Sequence, residues 1–475
     1  MEKFYSDNLV IRDKYGRERI FRGINLCVKD DRAHIGTIER EYLKEKLFDN
    51  LDKCGINVIR LGTTWASIEP CEGQYNDKLI NVYKKFVAKC KEHNIYVMLD
   101  MHQDLFSSLF HGDGAPKWAI DKSIKGKKYF AIWAEGYFYM DSVAQAFYNF
   151  WHNKDGIMDS FVRAWKYYVH CFKGYDNIIG YDFLNEPYVD KNGRTIFLSI
   201  VKSICKTAFN KDYDFTDYFK PGRDKIGFAL MALKLFFTVR NRKRLHSLLC
   251  TMDSRENFSK AIDGLEIYTN DFNSQQYQSF IDNMDECVNK ENIFTFFEHN
   301  YYSNLGIPFE IKIRDNYIYS PHAYDLFIDS PLYSKYSSNN RVSVILENIR
   351  KNQLKMNVPV LFGEWGGGGP KGGKWIEHID YIMDVFEKYH WSAIYWAMNF
   401  SDKKLVNVYN RPYPVAVCGD IINIHTDSGK RRFSLEWNQG SDFDNKDAKT
   451  VVFVPDKGFT QYLGKTGINK IEIEY

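Results

Sequence analysis

The sequence predicts an α/β fold: a (β/α)8 TIM barrel followed by a small C-terminal antiparallel β-sandwich. Three observations carry that prediction. Short apolar segments of strand length alternate with amphipathic helical stretches through about residue 400. Polar residues recur at the C-terminal ends of those segments. Beyond about residue 403 alternating segments dominate, as in an antiparallel sheet with one buried face.

In chain order the candidate strands are FRGINL (21–26), NVIRLG (57–62), YVMLDMH (96–102), IIGYDFLN (178–185), IFTFFE (293–298), YIYSPH (317–322), PVLFGEW (359–365) and AIYWAMNF (393–400). Helical stretches such as 77–92 and 374–389 separate most of them. A doubly wound open sheet is the competing layout, but the first βα turn lacks a glycine-rich phosphate loop. The glycine run in GEWGGGGPKGG lacks the GK[ST] ending of a nucleotide loop. The connection after strand 4 is far longer than the usual ~2–6 residues, so 189–270 is expected to be an insertion. The predicted division is a catalytic barrel over 1–402 and a sandwich over 403–475, built on RRFSLEW, KTVVFVP and INKIEIEY.

Composition narrows the class of function. The chain has 475 residues, with 64 basic and 61 acidic side chains for a net charge of +3. It contains no basic arm, RNA-binding motif or zinc-ligand spacing, so no nucleic-acid partner is expected. Nine cysteines are scattered singly, which suits reduced thiols and a cytoplasmic setting. The N-terminal MEKFYSDNLVIRDKYG has no apolar signal core, and no window reaches the ~18 apolar residues of a membrane span.

The chemistry-bearing pair is Glu186, in YDFLNEPY, and Glu364, in LFGEWGG. Glycoside hydrolysis needs one carboxylic acid to protonate the leaving oxygen and one carboxylate to attack or to activate water. Strands 4 and 7 face each other across a barrel mouth, so residues at their ends converge. Two neighbouring carboxyls resist double ionisation, which keeps one protonated near neutral pH. A surface loop acid is the alternative for either residue alone; the joint strand-end context, with Asn185 and the glycine run, argues against it. A non-catalytic carbohydrate-binding module would have no need of both carboxylates.

An ordered set of segments is similar to glycoside hydrolase family 5, and within it to the endoglycoceramidase and glucosylceramidase-like group. These are FRGINLCVK, INVIRLGTTWASIEPCEGQY, MLDMHQD, DFLNEP, SPHAYD, FGEWGG, YWAMNF and RPYPVAVCGD. The resemblance implies a retaining enzyme with Glu186 as acid/base and Glu364 as nucleophile. It further implies that Arg60 lies beside the nucleophile and that Tyr324 donates to it. Asn185 would bind the sugar's 2-hydroxyl, His102 and His322 would be the two active-site histidines, and Trp396 the platform under the sugar. Lys29, Asp104 and Trp151 would hold the first glucose. Glu298, at the end of strand 5, is expected to support the site without taking part in the reaction. The mechanism calls for no cofactor and no metal.

The resemblance also implies the substrate: a β-glucosidic bond between a glycan and a lipid aglycone, as in glycosphingolipid catabolism. Exo-acting hydrolysis of glucosylceramide, steryl glucoside or another hydrophobic β-glucoside is the alternative, since loops decide whether further sugar sites are open. HGDGAPKW (111–118) is a candidate wall of the aglycone slot. Within the insertion, the apolar run 226–239 is followed directly by RNRKR (240–244). Peripheral contact of 226–244 with a membrane surface is one expectation; a helix buried against the barrel with a solvated basic end is the other.

Overall fold

The structure, a computed structural model, describes residues 1–29, 35–124, 134–189, 192–210, 239–291, 293–328, 333–368, 374–443 and 447–475. Eight parallel strands close into a barrel: β1 (Arg22–Val28), β2 (Val58–Thr64), β3 (Tyr96–His102), β4 (Ile178–Asp182), β5 (Phe294–Phe297), β6 (Tyr317–Tyr319, resuming at His322–Ala323), β7 (Leu361–Trp365) and β8 (Ser392–Tyr395). Closure comes from β8 pairing β1, with Ala393 opposite Arg22 and Tyr395 opposite Ile24. Pro321 interrupts β6. Tyr319 below it bridges Val360, and His322 above it pairs Glu364 on β7.

Period-two alternation builds the two faces of each strand. Ile59, Leu61, Val97 and Leu99 point outward and pack in the large core beneath the helices. Val58, Met98, Phe294, Phe296, Ile318, Leu361 and Ile394 form a separate apolar cluster. One or two pleats further along, the same inward rows carry Arg60, Asp100 and Glu298, all buried. The barrel therefore has an apolar floor and a charged mouth.

The helix Asp77–Glu92 shows why the outer layer forms where it does. Asn76 caps it by accepting from the Leu79 N–H, and Leu79, Tyr83, Phe86 and Cys90 line its buried face at helical spacing. Between β5 and β6 the crossover carries only the 3-10 helix Tyr301–Leu305. After β4 the expected insertion is helical earlier than the sequence suggested. A helix spans Gly193–Phe209, with Ile196, Ile200 and Ile204 buried at i, i+4 spacing. It is followed, among the described residues, by Val239–Met252 and Arg255–Ile262. Nearly all of the apolar run 226–239 lies outside the described residues, as do the side chains of residues 240–242. No helix among the described residues is long and apolar enough to cross a membrane.

The C-terminal sandwich pairs a six-stranded antiparallel sheet with a three-stranded one. Phe433, Leu435, Trp437, Val452 and Phe453 fill its core. Two details differ from the division at residue 402. The helix Lys403–Tyr409 packs with the barrel, since Leu405 and Tyr409 belong to the barrel core whereas Tyr413 belongs to the sandwich core. The six-stranded sheet also takes three strands from the N-terminal region, Phe4–Asp7, Val10–Asp13 and Glu18–Arg19, joining at Arg19 opposite Ala416. Strand pairing is a long-range relation that alternation alone does not encode.

Candidate active site

Arg60, completely buried on β2, is the hub of the barrel mouth. Its Nε donates to Asp182 Oδ2 at 2.9 Å, and its Nη1 to Asn25 Oδ1 at 3.2 Å and Glu364 Oε1 at 2.7 Å. Its Nη2 reaches Asn185 Oδ1 at 2.9 Å, Glu298 Oε1 at 2.8 Å and Asp100 Oδ1 at 2.9 Å. A single guanidinium thus answers four buried carboxyls, and protonation helps balance the charge. Burial, and then the neighbouring Glu298, push the Asp182 carboxyl well above its usual range. Burial would also raise Glu298, but His322 and Arg60 hold it down at about 2.

Glu364 sits on β7 with both oxygens engaged. Oε1 accepts from Arg60, and Oε2 accepts from the Tyr324 hydroxyl at 2.9 Å. Gly366, two residues on, serves a close backbone approach. A Cβ at Gly366 would lie 2.3 Å from the Trp396 carbonyl oxygen.

Glu186 lies four residues past the end of the β4 ladder, on a tight turn and not on the strand itself. The Asn185 N–H donates to Met101 O at 3.1 Å, and the Glu186 N–H to Glu298 Oε2 at 2.6 Å. These bonds hold Glu186 at φ 45°, a left-handed conformation that costs about 1–3 kcal/mol and recurs at active sites. Its Oε1 accepts from Asn304 Nδ2 at 2.7 Å and lies 3.1 Å from His322 Nδ1. Burial raises the Glu186 carboxyl, the Glu364 and Asp104 charges add to that, and the His322 contact opposes it. Burial alone would lower His322, yet Glu298 and Glu364 carry it well above the ordinary imidazole range. Carboxylate oxygens of Glu186 and Glu364 lie within 4.8 Å of each other. Retaining glycosidases hold theirs about 5–5.5 Å apart, and inverting ones about 6.5–9.5 Å.

Beside this pair is a second cluster. The Trp396 ring stacks on His102 at 5.2 Å with a 6° tilt, and Lys29 Nζ stands 4.5 Å above the indole. Lys29 pairs with Asp104 at 2.5 Å. Burial would raise Asp104, but Lys29 and His102 hold it at about 2. Ten of the eleven residues expected at the site thus gather at the mouth. Trp151 does not join them. It ends the helix Asp141–Trp151, packs edge-on against Phe272 and Phe280, and donates its Nε1–H to Tyr188 O at 3.0 Å. Its indole N–H is therefore committed to the protein.

Sequence reading missed Asn25, Asp100, Asp182, His299 and Asn304, and placed Asp113 only within the candidate aglycone wall 111–118. Asp100 stands two residues before His102 on the same strand, so its inward parity was readable. Asn304 carried no such signal, because it reaches Glu186 only through the 3-10 turn after β5.

The comparisons agree with this geometry. Residues 13–213 and 266–402 match the family model described as cellulase (glycosyl hydrolase family 5), and 411–473 match the glycoside hydrolase family 5 C-terminal domain. The chain belongs to glycosyl hydrolase family 5. The family 5 match leaves out 214–265, most of the insertion. Among curated relatives, an endoglycoceramidase of Hydra vulgaris is 33% identical over 207 residues, 38% of this chain and 39% of that protein. One of Cyanea nozakii is 31% identical over 200 residues, 37% of this chain and 40% of that protein. The match to each thus spans about two fifths of the relative's length. In fold, the chain is similar to endo-glycoceramidase II from Rhodococcus sp., with a TM-score of 0.65 at 19% identity over 98% of this chain and 99% of that one. It is also similar to Cryptococcus neoformans sterylglucosidase 1, with a TM-score of 0.65 at 15% identity over 99% and 96%.

Among the described residues, three acidic groupings bring potential ligand atoms within 4.8 Å: His102–Asp104–Asp113, Glu186–His322–Glu364 and Asp100–Asp182–Glu298. In this family 5 site, protein cations already stand among them. Lys29 pairs with the first, Arg60 with the third, and Arg60 and His322 with the carboxylates of the second.

Proposed function

We propose that the protein is a retaining glycoside hydrolase that splits the β-glucosidic bond between a glycan and a lipid aglycone. The observation that carries this reading is the inequality of two carboxyls within 4.8 Å. Glu364 is held by Arg60 and Tyr324, whereas Glu186 is raised by burial. In the first step Glu364 attacks the anomeric carbon as the glycosidic bond breaks, and the Glu186 proton passes to the leaving oxygen. In the second, Glu186 takes a proton from water, which attacks the glycosyl–Glu364 ester and frees Glu364. Trp396 and His102 offer a flat surface to the sugar ring, and Lys29 with Asp104 offers donors and acceptors to its hydroxyls.

The lipid aglycone is supported by relatives named endoglycoceramidase and glucosylceramidase. An exo-acting β-glucosidase is the second reading, favoured by the glucosylceramidases and an ergosteryl-beta-glucosidase among those relatives. Hydrolysis of lactosylceramide, glucosylceramide, steryl glucoside and an aryl glucoside distinguishes the two. Release of intact lactose supports endo action, hydrolysis of the monoglucosides alone supports exo action, and failure on all four refutes both. A cytoplasmic location and membrane contact through 226–244 belong to the same proposal. Co-sedimentation with anionic liposomes, with and without residues 222–248, tests the contact, and equal binding would refute it.

A further inference from the structure

The Glu186 carboxyl is not symmetric in its surroundings. Asn304 Nδ2 and His322 Nδ1 both converge on Oε1, at 2.7 and 3.1 Å. The orientation of the Asn304 amide is set from behind. Burial, and then the nearby His322, lower His299 to about 3, so its ring is neutral and carries one N–H. Its Nε2 faces two acceptors, Asn304 Oδ1 at 2.6 Å and His322 O at 3.1 Å, and lies 3.3 Å from the His322 N–H; its Nδ1 faces the Tyr319 hydroxyl at 2.8 Å. The short Asn304 contact outweighs the longer approach of the His322 N–H and places the N–H on Nε2, so Tyr319 donates to Nδ1 and the Asn304 oxygen points at His299. This leaves the amide N–H of Asn304 for Glu186.

The turn bearing Asn304 is anchored at its N-terminal end. Asn300 caps it, accepting from the Tyr302 and Ser303 N–H groups, and the Tyr301 N–H bonds Pro187 O at 2.9 Å, one residue past Glu186. The turn that carries the donor is thus bonded directly to the turn that carries the acid.

On the reading of Glu186 as acid/base, we propose that Asn304 is a positioning residue for proton transfer. Together with His322 it occupies Oε1, so that Oε2 carries the proton delivered to the leaving oxygen. The line Tyr319–His299–Asn304 holds that assignment from the floor of β6 to the mouth. A donor on the carboxylate also favours its ionised form, which restrains the rise caused by burial.

The test uses the full chain with phenyl β-glucoside, whose leaving group needs a proton, and 2,4-dinitrophenyl β-glucoside, whose leaving group does not. Asn304→Ala should lower kcat/KM for the phenyl glucoside about 10–100-fold and leave the dinitrophenyl glucoside nearly unchanged. The basic limb of the phenyl-glucoside pH profile should move to higher pH, because a donor to the charged form is gone. Asn304→Asp keeps the shape and puts a second acid beside Glu186, so its basic limb should move further in the same direction. Equal losses on both glucosides with an unmoved basic limb, or no loss on either, would overturn the proposal. A wild-type protein inert on both would overturn the acid/base reading and this inference with it.

Discussion

Arg60 on β2 donates from Nη1 to Oε1 of Glu364 on β7 at 2.7 Å, spanning the barrel mouth between non-neighbouring strands. The same cation also answers Asp100, Asp182 and Glu298. Arg60→Met should therefore destabilise the fold by about 3–5 kcal/mol as well as abolish turnover, because it leaves several buried acids unpaired. Urea unfolding and kcat, measured on the same preparation, check both. A variant that loses turnover while unfolding at the wild-type denaturant concentration would contradict the hub role.

Tyr324 bonds Glu364 without belonging to that acid cluster. Tyr324→Phe should keep wild-type stability and lower kcat about 10–100-fold, in line with the ~1.5–3 kcal/mol of a hydrogen bond to a charged group. Thermal melts and steady-state kinetics on an aryl glucoside read the two effects separately.

The proton on Glu186 sets the pH dependence. The first step needs the protonated form, and burial followed by the Glu364 charge raises this carboxyl above its usual range. kcat/KM should therefore hold at pH values where an ordinary carboxyl has ionised, and fall as pH rises through the raised value. In Glu186→Ala, azide should restore hydrolysis of the dinitrophenyl glucoside, and the basic limb should vanish. Persistence of the limb in that variant would assign it to another group.

Trp151 separates core from site. Its N–H is bonded to Tyr188 O and its ring lies against Phe272 and Phe280. Trp151→Phe should leave KM for an aryl glucoside within about twofold, whereas Trp151→Ala should cost about 3–5 kcal/mol of stability. A large rise in KM with unchanged melting would return Trp151 to the sugar site.

The barrel was legible because its signals are local. Short apolar segments located the eight barrel strands, and strand-end polarity located Glu186, Glu364, Arg60, His102 and Trp396. Arg60 and Glu298 follow Val58 and Phe296 by one pleat each, so the change from apolar floor to charged mouth is written in single strands. What escaped depends on contacts distant in sequence. Asn304 reaches Glu186 through an irregular turn, and Trp151 was drawn to the sugar by motif likeness although Val143, Phe147 and Phe150 place its helix face in the core. The strands at 4–19 read as part of the barrel region because nothing local names the sheet they join.

That last pairing has a consequence for how the molecule is made. Arg19 meets Ala416 across the sheet, so Glu18–Arg19 waits for a partner synthesised long after it. Until residues 413–417 arrive, Glu18–Arg19 keeps an open edge, just as Arg22–Val28 does until Ser392–Tyr395 arrives to close the barrel. The sandwich is thus a late clasp that fastens the segments flanking the barrel once its last strand is in place.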